Sequence, residues 1–147
     1  MEIMDRLMEL ESSVAELYGK YGRLFPEHEA FWHKIAEQEV QHARLVSALF
    51  KGADTGKLEF NEKRIPLPLI VKEIEFIKEK IQEADRKDAT LKSALEAAYM
   101  IENSMVEKGF YAPFTGQSIK IADILSTIMT ETNEHREKIG ALLKGVK

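Results

Sequence analysis

Residues 37–45 read Glu37-Gln38-Glu39-Val40-Gln41-His42-Ala43-Arg44-Leu45, and their reading decides the fold. Glu39 and His42 stand three residues apart. On an α-helix that spacing falls about 60° short of a full turn and rises about 4.5 Å, so a carboxylate and an imidazole face one centre. The apolar neighbours show which way they face. Phe31, Ile35, Leu45, Val46 and Leu49 form one stripe, and Glu39 and His42 lie inside it.

The same interruption recurs along the chain. A first helix from about Ile3 to Arg23 places Ile3, Leu7, Leu10, Val14, Leu17, Tyr21 and Leu24 on one face, and Glu11 falls among them. Pro26 breaks it and opens a second helix from about Glu27 to Phe50, which Lys51-Gly52-Ala53-Asp54 ends. A loop from Gly52 to Pro68 is punctuated by Gly56, Pro66 and Pro68. A shorter helix, Leu69 to Asp85, turns Ile70, Ile74, Ile77 and Ile81 inward. Asp88 or Thr90 starts a helix to Lys108 whose core stripe of Leu91, Leu95, Ala98, Ile101 and Met105 contains Glu102. Gly109 and Pro113-Phe114-Thr115-Gly116 close it. The last helix, about Gln117 to Leu143, buries Ile121, Ile124, Leu125, Ile128, Ile139 and Leu142, with His135 in the same stripe and Glu131 and Thr132 one turn before it.

Composition agrees with helix. The chain has 147 residues, 44% hydrophobic and 31% charged, with only 4 Pro and 8 Gly, the make-up of one globular domain. The 21 basic and 25 acidic residues give a net charge of −4 without a basic run, which argues against nucleic acid as a partner. The absence of cysteine excludes disulfides, thiol catalysis and thiolate-held metal centres, a rubredoxin-type iron site included. The opening MEIMDRLMEL lacks the basic start of a signal peptide, and no stretch approaches a membrane span. A cytoplasmic protein without a membrane association is the expectation.

Each long helix thus puts a carboxylate or imidazole near its middle in the core. An unpaired buried carboxylate costs several kcal/mol, and four helices doing so at one level need a positive charge between them. Divalent metal supplies it. Taken singly, Glu11 or Glu102 reads as a boundary residue and His42 or His135 as a hydrogen-bonded core histidine; their conjunction points to metal. His28 and His33 read as surface or boundary residues, and Trp32, Phe31 and Phe110 as packing residues. Tyr18 reads as a core residue hydrogen-bonded to a ligand carboxylate, and Met4, Met8, Met100, Met105 and Met129 as core or interface filler.

These segments resemble the rubrerythrin branch of the ferritin-like di-iron proteins. Glu11-Ser12-Ser13-Val14-Ala15-Glu16-Leu17-Tyr18 is similar to that family's first-helix pattern, residues 37–45 to its second-helix Glu-x-x-His motif, Ile101-Glu102-Asn103-Ser104 to its third-helix ligand, and Glu131-Thr132-Asn133-Glu134-His135 to its fourth. The resemblance implies an all-α, ferritin-like four-helix bundle over residues 1–147, with a long crossover carrying an extra short helix between the second and third long helices. It implies two iron ions, with Mn or Zn as possible occupants, held by Glu11, Glu39, His42, Glu102, Glu131 and His135. Glu39 would bridge, Glu11 and Glu102 would be carboxylate ligands, and each histidine would bind one ion. Two positions differ from the family's pattern: Thr132 stands three residues before His135, where a Glu is usual, and Met105 stands three after Glu102, where rubrerythrins proper carry another Glu.

The resemblance further implies an oxidoreductase that reacts with peroxide or dioxygen, takes electrons from a separate donor protein and forms a homodimer. Thr132 and Met105 keep a second reading open, a non-catalytic iron-handling or metal-degenerate bundle that acts as an interaction protein. Hemerythrin-like dioxygen binding is excluded, because it needs several helical histidine pairs and the chain has 4 His.

Overall fold

A computed structural model describes residues 2–54, 58–60, 66–112, 114–116 and 118–146, with side chains described for 2–51, 66–112, 114 and 118–146. Five α-helices account for most of these residues: α1 (Glu2–Leu24), α2 (Glu29–Asp54), α3 (Leu67–Asp85), α4 (Leu91–Glu107) and α5 (Ile119–Lys144). Pro26–His28 form a single 3₁₀ turn, so Pro26 breaks α1 as expected but α2 starts two residues later than Glu27. Pro68 was expected in the loop and instead sits in the first turn of α3, where a missing N–H costs nothing. Thr90, rather than Asp88, caps α4: its side chain accepts from the Ser93 N–H while Ser93 Oγ accepts from the Thr90 N–H, a reciprocal pair that satisfies two orphan donors. Gly109 takes a φ of +57°, the left-handed turn that follows α4. Ser118 caps α5 through the Ile121 N–H; the expected start at Gln117 lies outside the described residues.

α3 is not the short helix of the set. It has 19 residues against 17 in α4, because Leu67 and Pro68 extend it at the front. α1 packs against α2 on one side and α3 on another, α4 packs against α5, and α2 meets α5. The expected 52–68 loop holds a further element. Leu58–Phe60 (β1) pairs antiparallel with Phe114–Gly116 (β2), Glu59 opposite Thr115, which ties the crossover to the turn after α4. Residues 55–57, 61–65 and 113 of the predicted loops lie outside the described residues.

One contiguous core runs through the helices. Its apolar stripes are those read from the sequence, with Leu24, Phe31, Leu45, Ile81, Leu91 and Leu142 only partly covered. Trp32 is fully buried against Tyr18, Tyr21 and Phe31 at ring distances of 5.6, 4.9 and 5.3 Å, and Phe110 is buried too. His33 is exposed beside Glu37. Met100 and Met129 are 55% and 51% exposed, outside the core. Among the described residues no helix is long and apolar enough to cross a membrane.

Candidate metal centre

Among the described residues seven polar or charged ones are buried, and five of them meet. Glu11 is carried inward by Leu7, Leu10 and Val14 on α1, Glu39 and His42 by Ile35 and Val46 on α2, Glu102 by Ala98 and Met105 on α4, and His135 by Ile128 and Ile139 on α5. Glu11, Glu39, His42 and Glu102 are completely inaccessible, as is His135. Four different helices therefore deliver their charged groups to one place.

They form two groups of three, each with ligand atoms within 4.8 Å of one another: Glu11, Glu39 and His42, and Glu39, Glu102 and His135. Glu39 belongs to both. Its Oε2 lies 3.3 Å from His42 Nδ1, and its Oε1 lies 2.9 Å from His135 Nδ1. Glu11 Oε2 is 3.5 Å from His42 Nδ1, and Glu102 Oε1 is 3.0 Å from His135 Nδ1. The two rings stack at 5.8 Å between centroids. Each imidazole thus turns Nδ1 toward carboxylates contributed by two helices.

The electrostatics show the strain of this arrangement. Burial, with the neighbouring Glu39 adding to it, pushes the Glu11 carboxyl up to about 8. Burial and Glu39 likewise hold Glu102 well above the usual carboxylate range. Burial acts on Glu39 in the same direction, but its contacts with Glu11, His135 and His42 together outweigh it and hold this carboxyl well below that range. For His42 burial opposes the charge, yet the Glu11 and Glu39 carboxyls raise the imidazole to about 12. At neutral pH one negative Glu39 faces one positive His42, and Glu11 and Glu102 keep their protons.

Even so, Glu11 Oε2, Glu39 Oε2, Glu102 Oε2 and His42 Nδ1 are buried without a hydrogen-bond partner among the described residues. Buried polar atoms are rarely left so. Four orphaned ligand atoms in one cluster fit a cation, and three carboxylates with two imidazoles are a donor set for Fe, Mn or Zn.

Glu131, expected as a sixth ligand, joins neither group. Its Oε1 lies 2.9 Å from the outer Nε2 of His42, and its side chain is 27% exposed. Four residues before His135 place it about 40° around α5 from that histidine, and this turns it to the rim. Thr132, three before His135, is buried, and its hydroxyl donates to the Ile128 carbonyl at 2.7 Å. Tyr18 is buried as expected, but its hydroxyl has no hydrogen bond among the described residues. The phenol that reaches the cluster is Tyr111, from the turn after α4, which donates to Glu11 Oε1 at 2.7 Å. Gln38 completes the outer side: its Oε1 lies 2.8 Å from His135 Nε2. Neither Tyr111 nor Gln38 was singled out in the sequence. Tyr111 lies off any helix, and Gln38 offered one signal, its place four residues before His42.

Compared with known proteins, the chain matches no family model, no curated protein and no solved structure.

Proposed function

We propose that the protein is a dinuclear metal carboxylate protein, a ferritin-like bundle of rubrerythrin type in which α1, α2, α4 and α5 enclose two iron ions and α3 lies in the crossover. One observation carries this reading: Glu39 divides its two oxygens between two three-residue groups, each completed by a histidine and a further glutamate. Glu11, Glu39 and His42 would hold one ion, and Glu39, Glu102 and His135 the other. Iron held there in the ferrous state would be a source of two electrons for peroxide or dioxygen.

The chain's own contribution is to prepare that site. Burial removes water from the carboxylates, so their attraction for a cation is far stronger than at the surface. Tyr111 fixes one oxygen of Glu11 and leaves Oε2 turned inward. The protons held by Glu11, Glu102 and His42 Nδ1 must leave when cations arrive, while Glu131 holds the outer Nε2 of His42 from the rim. With no cysteine in the 147 residues, a thiolate-held electron-transfer centre is not built from this sequence, and turnover would draw on a separate donor.

Thr132 favours a second reading, metal binding without turnover. Its hydroxyl is committed to Ile128, so α5 supplies no second bridging carboxylate. The two readings part in one experiment. Protein loaded with ferrous iron under anaerobic conditions is mixed with hydrogen peroxide, and iron oxidation and peroxide loss are followed by absorbance. Rapid development of the near-ultraviolet absorption of a carboxylate-bridged ferric pair, with about one peroxide consumed per pair, supports the oxidoreductase. Iron that stays bound and ferrous supports the non-catalytic reading.

A further inference from the structure

Gln38 stands four residues before His42 on α2, and Glu131 four before His135 on α5. Each serves the histidine of the other helix. His42 Nε2 meets Glu131 Oε1 at 2.9 Å, His135 Nε2 meets Gln38 Oε1 at 2.8 Å, and Gln38 Nε2 donates to Glu131 Oε2 across 3.4 Å. The three contacts join into one chain, His135–Gln38–Glu131–His42, along the rim of the buried cluster. Its direction is set at Glu131. A carboxylate offers only acceptors and an amide nitrogen only donors. Gln38 therefore spends its Nε2 on Glu131 and turns its Oε1 to His135, and both imidazoles must donate from Nε2.

We propose that Glu131 is a positioning residue for both histidines, acting on His42 directly and on His135 through Gln38. It keeps a proton on each Nε2 and so commits each Nδ1 to the interior, where His42 Nδ1 faces Glu11 and Glu39 and His135 Nδ1 faces Glu39 and Glu102. The role rests on the metal reading above. An imidazole that donates its outer N–H to a carboxylate is held in one orientation and is a better metal ligand, and losing such a partner costs about 10- to 100-fold in affinity. Here one carboxylate serves two ligands, so the two metal positions are coupled at the rim as well as through Glu39.

Glu131 is part-exposed and outside both ligand groups, so its replacement leaves the buried carboxylates in place. The test uses protein with ¹⁵N-labelled histidine and zinc as the probe ion, because zinc is diamagnetic. Long-range ¹H–¹⁵N spectra should show protonated Nε2 on both rings, with and without zinc, and zinc on both Nδ1 atoms. Glu131→Ala should weaken both zinc sites by about 10- to 100-fold, and Gln38→Ala only the site that includes His135. Glu131→Gln, which keeps one acceptor oxygen, should restore one of the two. A His135 Nε2 without its proton overturns the proposal, as does Glu131→Ala weakening one zinc and sparing the other. Failure of the wild type to take up zinc defeats the metal reading instead, and the Nε2 protons still decide the hydrogen-bond chain.

Discussion

Thr132 is the residue at which the site is most sharply defined. It is buried on the face of α5 that carries His135, and its hydroxyl satisfies itself on the Ile128 carbonyl. A carboxylate there would face the interior beside Glu39 and Glu102. Thr132→Glu should therefore lower the melting temperature of metal-free protein, since a further buried carboxyl costs a few kcal/mol, and raise that of zinc-loaded protein. Thermal melts with chelator and with zinc measure the pair, and a uniform fall in both would show that position 132 does not face the metal. The buried cluster itself was legible in the sequence: Glu11, Glu39, His42, Glu102 and His135 each interrupt a stripe of 3.6-residue period, and all five are buried where that pattern puts them. Glu131 was harder to place, because one residue of spacing separates the interior from the rim. Tyr111 was hidden, since a turn carries no periodicity to say which way a side chain points.

At the scale of elements, the helices were readable because their signals are local. The heptad-like apolar stripes set their faces, and the caps set their starts. Thr90 shows how much a cap matters: it and Ser93 exchange two hydrogen bonds at the start of α4, the helix that carries Glu102. Thr90→Ala should cost about 1 kcal/mol, read as a lower urea midpoint with an unchanged slope. A midpoint equal to that of the wild type would mean that α4 is held by packing alone. The pairing of β1 with β2 gave no comparable warning. Three-residue strands lie below the length at which alternation can be counted, and their partners are more than fifty residues apart in sequence. The length of α3 was misjudged for a related reason: a proline reads as a loop, although at a helix start its missing N–H is no loss.

At the scale of the whole molecule, the buried cluster sets the response to pH. Glu11 and Glu102 hold protons in the folded state that they lose near 4.5 when unfolded. Between there and about 8 for Glu11, the folded state binds the extra protons, so stability falls as pH rises. His42 acts in the same sense from about 6.5 upward, since its folded value is about 12: its contribution is complete below 6.5 and is lost as pH climbs toward 12. Glu39 acts oppositely, contributing stability above 4.5 that is lost in acid. Metal-free protein should thus melt highest in mild acid and lose stability toward pH 8. Metal binding displaces the same protons, so affinity should rise over that range. Melts at pH 5.5 and 8, each with chelator and with zinc, check both signs. A flat metal-free profile would mean that the carboxyls are already ionised and paired.

The two-group arrangement around Glu39 is what the rest depends on, and metal stoichiometry tests it most directly. Protein loaded anaerobically with ferrous iron, freed of unbound metal and analysed by elemental mass spectrometry should hold about two irons per chain, from the two groups that Glu39 joins. Glu39→Ala should hold almost none, because both positions lose a ligand at once, and its metal-free stability should fall, because His42 loses the carboxylate it faces. A wild type that retains no iron, or a Glu39→Ala variant that retains as much as the wild type, would contradict the account.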